Sequence, residues 1–507
     1  MAVSVYTCGL SGINANIVSI EADISNGLPA YEVVGLADTA IKEAKERVRS
    51  GIKNSDFEFP LRRITVNLAP ASIKKEGTYY DLPMAVALLK IMGAVEAKVS
   101  DFIILGELSL TGEVRGVHGV LPMADTARAA GFKKIIVPEE NKNEAALVPE
   151  IEVYPVSCLK DTVNLLNGES EIAAYKYSGF NSAVSDSELD FADVAGQESA
   201  KRALEIACSG GHSCIMMGPP GGGKTMLSKR IPNILPPLDF DEAMEVTKIY
   251  SVAGLVSQKN PLITNRPFRS VHHTASTVSL VGGGSKAMPG EVSLAHNGVL
   301  FLDEIPEFKR ATLEVLRQPL EDKSITVTRV ARTAVYPCNF MIVAAMNPCP
   351  CGYFGSDVKQ CTCTHDEIRR YHRKISGPLI DRIDIQIEVP ALKYTQIAGN
   401  AKSESSAEIR KRVTETREIQ KKRYEGSGIT TNAELTTPMI KQYCSLTAEA
   451  DNILRRAFEN LGLSARGYTK ILKLARTIAD MEKSENIEVY HIAEAISYRD
   501  PKIKYLR

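Results

Sequence analysis

The chain has 507 residues, 44% of them hydrophobic and 24% charged, with 61 basic and 61 acidic side chains in formal balance. That length exceeds what one core can organise and predicts several domains, while zero net charge excludes a global field for nucleic acid and leaves only local basic patches. The longest apolar runs, such as Val299 to Leu302, are far too short to span a membrane, and the opening segment MAVSVYTCGL carries no basic leader; a cytoplasmic location with no membrane partner is expected, and the ten cysteines are not expected to form a disulfide framework.

Residues 1–166 alternate short β-rich runs with helical patterns. Ile64 to Leu68 and Phe102 to Leu105 predict strands bounded by Pro and Gly. Asp38 to Lys53 predicts a charged amphipathic helix and Asp81 to Met92 a mostly buried one, with Asp81 as its N-cap and Pro83 in the tolerated first turn. From 167 to 189 the pattern fades into Gly, Ser and Ala, which predicts a linker. A second α/β unit is expected over 190–390, with apolar strands at Ser213 to Met217, Val299 to Leu302 and Asn339 to Ala345. This alternation implies a mainly parallel sheet with ligands at the carboxyl ends of its strands. A polar linker, 391–406, leads to a wholly helical region over 407–507, with helices at Ala407 to Arg423, Pro438 to Tyr443, Thr447 to Asn460, Ala465 to Met481 and Val489 to Ser497.

The chemistry-bearing motif is Gly218, Pro219, Pro220, Gly221, Gly222, Gly223, Lys224 and Thr225, placed after an apolar strand and opening a helix. In that context it reads as a P-loop: the glycines let successive N–H groups turn toward phosphates, and the helix N-terminus adds positive potential. Lys224 is expected to neutralise phosphate charge and Thr225 to ligate Mg²⁺. Val299 to Leu302 followed by Asp303 and Glu304 reads as the matching Walker B strand, with Asp303 toward the Mg²⁺ and Glu304 polarising a water for in-line attack. ATP and Mg²⁺ are thus the expected cofactors. Asn347, closing an apolar strand, suits a sensor that orients the lytic water. Arg382 is a candidate arginine finger reaching a neighbouring subunit, and Arg466 a candidate second sensor; most arginines, however, form surface ion pairs.

Several longer segments carry a resemblance: Phe268 to Ser276, Leu280 to Ser285, Pro289 to Gly298, and Asn347 to Gly352. Together they resemble the magnesium-chelatase-like AAA+ ATPases, within them the YifB/ComM family, over nearly the whole chain. The resemblance implies an α/β multidomain protein with an AAA+ P-loop parallel-sheet core and a C-terminal helical lid. It also implies a homo-oligomeric, usually hexameric ring, and a DNA branch-migration motor acting on single-stranded or branched DNA. The alternative is a chelatase-like motor for protein remodelling or metal insertion. It raises the expectation that Arg382 and Arg466 serve the nucleotide. Residues 1–166 resemble the Lon-protease/ribosomal-S5-like α+β fold through Leu110 to Arg115 and Ala129 to Pro138. There Tyr79 stands where the resemblance would place a nucleophilic Ser, and Leu121 where it would place a Lys, so no Ser-Lys proteolysis is expected.

Cys349, Cys351, Cys361 and Cys363 put four thiols on a short loop beyond Asn347. The C-x-C spacing is unusual, yet four thiolates can enclose a tetrahedral Zn²⁺; a structural zinc is expected, with His365 as a substitute ligand. For DNA, the tentative contacts are Lys286 in a glycine-rich stretch and Arg329 and Arg332, which flank the turn of a hairpin over Ile325 to Val335. The basic run Arg410 to Arg423 is read as a solvated helix face, and His272 with His273 as structural or interface residues.

Overall fold

The computed structural model describes residues 3–96, 98–177, 189–284, 287–329, 332–356, 359–392 and 403–499. Strands are numbered in chain order. Near the N-terminus, β1 (Val3–Ser11), β2 (Asn14–Ser25), β3 (Ala30–Val34), β4 (Arg63–Ala69) and β5 (Phe102–Ile104) are followed by a small hairpin, β6 (Glu107–Leu108) and β7 (Val114–Arg115). Then come β8 (Lys134–Pro138) and β9 (Glu152–Val156). Seven of these form one mixed sheet in the order β3-β4-β2-β1-β5-β8-β9. β1 to β2 and β2 to β4 are antiparallel, while β1–β5–β8–β9 run parallel. The helix Asp81–Ile91 lies against β1 and β2 and is buried from Asp81 through Leu89, as its continuous apolar run requires.

Asp81 is not the N-cap that the sequence suggests. Tyr80 holds that position without a side-chain cap, and Asp81 sits inside the first turn, fully buried. Its carboxylate accepts from Arg47 Nε at 2.6 Å and Nη2 at 3.1 Å, while burial pushes its pKa up to about 6 against the pull of that guanidinium. Asp38, by contrast, caps the helix Thr39–Asn54 through Ile41 N at 2.9 Å.

The second sheet comprises β10 (Cys214–Met217), β11 (Phe268–Val271), β14 (Val299–Leu302), β17 (Met341–Met346) and β18 (Ile385–Glu388), in the order β11-β14-β17-β10-β18. Every pairing in it is parallel. Between them lie two short antiparallel pairs, β12 (Gly282–Gly283) with β13 (Met288–Pro289) and β15 (Ser324–Arg329) with β16 (Arg332–Pro337). Side chains alternate between the two faces of the parallel sheet. Cys214, Met216, Val299, Phe301, Met341, Val343 and Ala345 enter a core shared with the C-terminal helices; Ile215, Leu300, Leu302, Ile342, Ala344 and Met346 enter a separate core on the other face. Burial on both sides explains why these strands read as unbroken apolar runs.

The C-terminal region is helical: Ser406–Arg423, Thr437–Tyr443, Ala448–Leu461, Ala465–Met481 and Val489–Ser497. Ser406–Arg423 and Ala465–Met481 both pack on Glu198–Gly210, which fixes this bundle to the sheet. The basic run on Ser406–Arg423 is a solvated face only in part: Lys411, Arg412, Lys421 and Lys422 are exposed, but three of its arginines have partners elsewhere in the fold. Arg412 pairs with Glu205 and Glu404, Arg423 with Asp480, and Arg417 is half-buried, donating to Cys208 O at 2.9 and 2.7 Å. Burial beside Arg266 pulls the Arg417 pKa down to about 10. Among the described residues, no helix is long and apolar enough to cross a membrane.

Candidate nucleotide site

β10 ends at Met217 and the chain turns at once into Gly218, with the helix Lys224–Arg230 beginning at the P-loop lysine. The turn needs glycine: Gly221 and Gly223 have φ of 78° and 91°, and a Cβ on Gly218 would come within 2.0 Å of Val389 O. Lys224 is buried. Its Nζ donates to Gly218 O at 2.7 Å, Pro219 O at 2.9 Å and Asn347 Oδ1 at 3.2 Å. Burial lowers its pKa, opposed by the charges of Asp303 and Glu304.

The other site residues arrive from neighbouring strands. Thr225 Oγ1 donates to Asp303 Oδ2 at 3.0 Å, so the two hard oxygen ligands expected for Mg²⁺ are already together. Glu304 follows with φ of 50°, a left-handed conformation uncommon outside glycine, and its N–H donates to Asp303 Oδ1 at 3.0 Å. Asn347 follows β17, the strand between β14 and β10, which is why its amide reaches Lys224. The carboxyl ends of three adjacent parallel strands therefore converge on one spot, the arrangement expected of a ligand site in such a sheet.

His273 is a member that the sequence reading missed. Its Nδ1 lies 3.7 Å from Glu304 Oε2, and its ring stacks beside His272 with centroids 4.1 Å apart. The available signal was its position just beyond β11, next to β14 in the sheet and thus beside the Walker B carboxylates.

Arg382 and Arg466 lie elsewhere. Arg382 just precedes β18, and the neighbouring Asp384 N–H donates to Ser213 O at the start of β10. Arg382 is therefore at the amino ends of the strands, opposite its own P-loop. There it pairs with Glu321 and donates to Pro378 O at 2.7 Å. Arg466, near the start of the helix that Ser464 caps, is 3.9 Å from the same Glu321. Both arginines line a cavity of about 320 Å³ together with Asp384 and Lys470. Asp384 is held far below the usual carboxylate range, despite its burial, by Lys470 at 2.7 Å and by His212.

Cys349, Cys351, Cys361 and Cys363 bring their Sγ atoms within 4.8 Å of one another. His365 instead opens the helix His365–His372 and is not part of that group. The expected hairpin is present as β15–β16, with Arg329 opposite Arg332 at the end where the strands connect and Ile325, Val327, Ala334 and Tyr336 buried nearer its base. Of those two arginines only the backbone is described, and Lys286 lies outside the described residues. In the N-terminal unit, the Tyr79 hydroxyl accepts from Leu10 N at 3.1 Å and Leu121 is fully buried.

Residues 190–397 match the protein-family model described as magnesium chelatase, subunit ChlI; residues 20–141 match subunit ChlI of Mg-chelatase, and 403–499 the C-terminal part of ChlI. The uncharacterized protein YifB of Escherichia coli is 43% identical over 502 residues, covering 98% of this chain and 96% of that protein. Competence protein ComM of Haemophilus influenzae is 42% identical over 513 residues, covering 98% and 97%. More distantly, a Lon protease of Trichlorobacter lovleyi is 24% identical over 178 residues, 33% of this chain and 22% of that protein.

Proposed function

We propose, starting from the fact that this chain belongs to the magnesium-chelatase-like family of YifB and ComM, that it is a ring-forming, Mg²⁺-dependent ATP hydrolase that moves single-stranded or branched DNA. The observation that carries the reading is the division of the machinery between two edges of one parallel sheet. Lys224, Thr225, Asp303, Glu304 and Asn347 stand at the carboxyl ends, while Arg382 and Arg466 stand at the amino ends. A lone chain cannot bring its own arginines to its own phosphates, so a second copy must supply them. A closed homo-oligomeric ring does this at every site, and a hexamer is the proposed size.

In that reading the P-loop N–H groups and Lys224 hold the phosphates. Lys224 exchanges its bonds to Gly218 O and Pro219 O for phosphate oxygens. Bound Mg²⁺ would supply charge neutralisation across the transferring group, and the hydroxyl and carboxylate that fit it are Thr225 and Asp303. Glu304 accepts the proton of the attacking water, and Asn347 fixes that water's orientation. Arg382 from the next subunit stabilises charge on the transferring phosphoryl group, with Arg466 beside it.

Nucleic acid is the proposed track because the β15–β16 hairpin carries two arginines in register, Arg329 and Arg332, at the end where its strands connect. The similarity to the competence protein ComM favours the same choice. A chelatase-like motor for protein remodelling or metal insertion is the second reading, favoured by the description of the matching family. We assign residues 1–166 to a Lon/S5-like fold without protease chemistry, since neither Tyr79 nor Leu121 supplies an amine-activated hydroxyl. The Cys349, Cys351, Cys361 and Cys363 cluster is assigned a structural zinc. The deciding experiment is ATP turnover by the full-length protein with and without single-stranded or four-way-branched DNA. Stimulation by DNA is expected; turnover indifferent to DNA would favour the second reading.

A further inference from the structure

We propose that the metal held by the four cysteines controls the nucleotide site, so that P-loop order and turnover depend on zinc occupancy. The part of the inference that concerns turnover rests on the ATPase reading; the metal site and its mechanical coupling do not.

The sulfur geometry is that of coordination. Four ligands about 2.3 Å from one ion in a tetrahedron lie about 3.8 Å from each other. Here Cys349 and Cys351 Sγ are 3.3 Å apart, Cys349 and Cys361 3.7 Å, and Cys351 and Cys361 3.6 Å. These separations are far beyond a disulfide bond of about 2.05 Å, and all four cysteines are free. Backbone N–H groups point at the sulfurs, among them Phe354 N to Cys349 at 3.3 Å, Cys351 N to Cys363 at 3.4 Å and Cys363 N to Cys361 at 3.4 Å. Such donors stabilise thiolate charge and orient the ligands. An all-sulfur set selects zinc over hard cations, and four protein ligands leave no open position for catalysis.

The loop touches the nucleotide site in two ways. Along the chain, Cys349 is two residues beyond Asn347, whose amide is bonded to Lys224. Between them, Pro348 O is fixed by the buried His372 Nε2 at 2.8 Å. Through space, Gly352 lies directly on the P-loop: with φ of 86°, a Cβ there would come within 2.6 Å of Pro220 Cδ and 2.7 Å of its Cγ. The described residues between Gly352 and Thr364 form neither helix nor strand. Among the described residues, the hydrogen bonds that join the Cys349/Cys351 end of the loop to the Cys361/Cys363 end, such as Cys351 N to Cys363 Sγ at 3.4 Å, end on the sulfurs themselves, so a metal held by those sulfurs is the clamp that these bonds support. Releasing that clamp frees Gly352 from Pro220 and loosens the segment that carries Asn347.

The test uses full-length protein purified without chelator. Elemental analysis should find about one zinc per chain. Removing zinc with a high-affinity chelator should speed amide hydrogen exchange over 218–225 and 347–356. It should also lower ATP turnover at least about tenfold, with both effects reversed by added zinc. Cys351→Ser should lose metal and show the fast exchange permanently. Gly352→Ala should keep the zinc yet perturb P-loop exchange, because it acts at the contact and not at the metal. Metal-free protein as purified would overturn the site. Zinc-stripped protein with unchanged P-loop exchange would overturn the coupling. Protein that binds zinc and shows zinc-dependent P-loop exchange, but does not hydrolyse ATP, would support the coupling and refute the ATPase reading alone.

Discussion

Arg382→Ala separates action in trans from action in cis by magnitude. The strands that divide Arg382 from its own P-loop are four residues long, a span of about 13 Å at about 3.3 Å per residue. At that distance and an effective dielectric of about 20, a guanidinium stabilises each unit of phosphate charge by about 1 kcal/mol, less than a tenfold effect on rate. A guanidinium in direct contact with the transferring phosphoryl group is worth about 10³ or more. Turnover of the variant under saturating ATP should therefore fall by about 10³, with ATP affinity changed only a few-fold, because the P-loop of the same chain is intact. Mixing Arg382→Ala with Lys224→Ala chains should restore activity, since some interfaces then pair an intact P-loop with an intact arginine. A fall of less than tenfold, or mixed rings that stay inactive after subunit exchange has been verified, would refute the trans assignment. Arg466→Ala should behave in the same way, as it shares Glu321 with Arg382.

Lys224→Ala should abolish ATP binding measured by calorimetry, whereas Glu304→Gln should bind ATP normally and hydrolyse it at least about 10²-fold more slowly, having lost only the proton acceptor. Neutralising Arg329 and Arg332 together should flatten the fall of log DNA affinity with log salt while sparing basal turnover; an unchanged slope would place the grip elsewhere. Asp480→Ala should destabilise the C-terminal helices by about 3–5 kcal/mol, because it leaves the buried Arg476 and the half-buried Arg423 without their shared carboxylate. The measurement is loss of amide-exchange protection over 465–481 with the sheet core less affected.

What the sequence made legible was local. The P-loop and Walker B segments could be read because strand, turn and helix each carry their signal within a few residues, and the two-sided burial of the sheet turns its strands into apolar runs. The helices beyond residue 405 were legible within a residue or two because Ser405, Thr447 and Ser464 are side-chain caps at their starts. Long-range pairings were not legible. Asp81 resembles an N-cap until Arg47, 34 positions earlier, is seen to claim it. In the partly solvated run Arg410 to Arg423, the pairings of Arg412, Arg417 and Arg423 were hidden because Glu205, Cys208 and Asp480 lie far away in sequence. His273 has no motif of its own and acquires its meaning from the strand beside it.

The helix Phe240–Ala253 shows how far that long-range order extends. It lies between the P-loop helix and β11, yet its Ala243 and Val246, with the flanking Leu238 and Leu262, are buried in the core of the N-terminal unit. Polar contacts lock the same seam: Lys248 to Asp125 at 2.5 Å, Gly119 N to Ser251 O at 3.1 Å, and the Ser251 hydroxyl to Glu144. Glu144 is itself buried, its pKa raised by desolvation, and it also accepts from Leu121 N, at the position where the Lon resemblance would put a catalytic lysine. Separating the two units would take the Ser251 hydroxyl from that carboxylate and expose four apolar side chains, a cost far above thermal energy. A shift of the segment between the P-loop helix and β11 would therefore carry the N-terminal unit with it. Leu121, where the Lon resemblance would place a catalytic lysine, is thus tied through Glu144 to the seam between the two units.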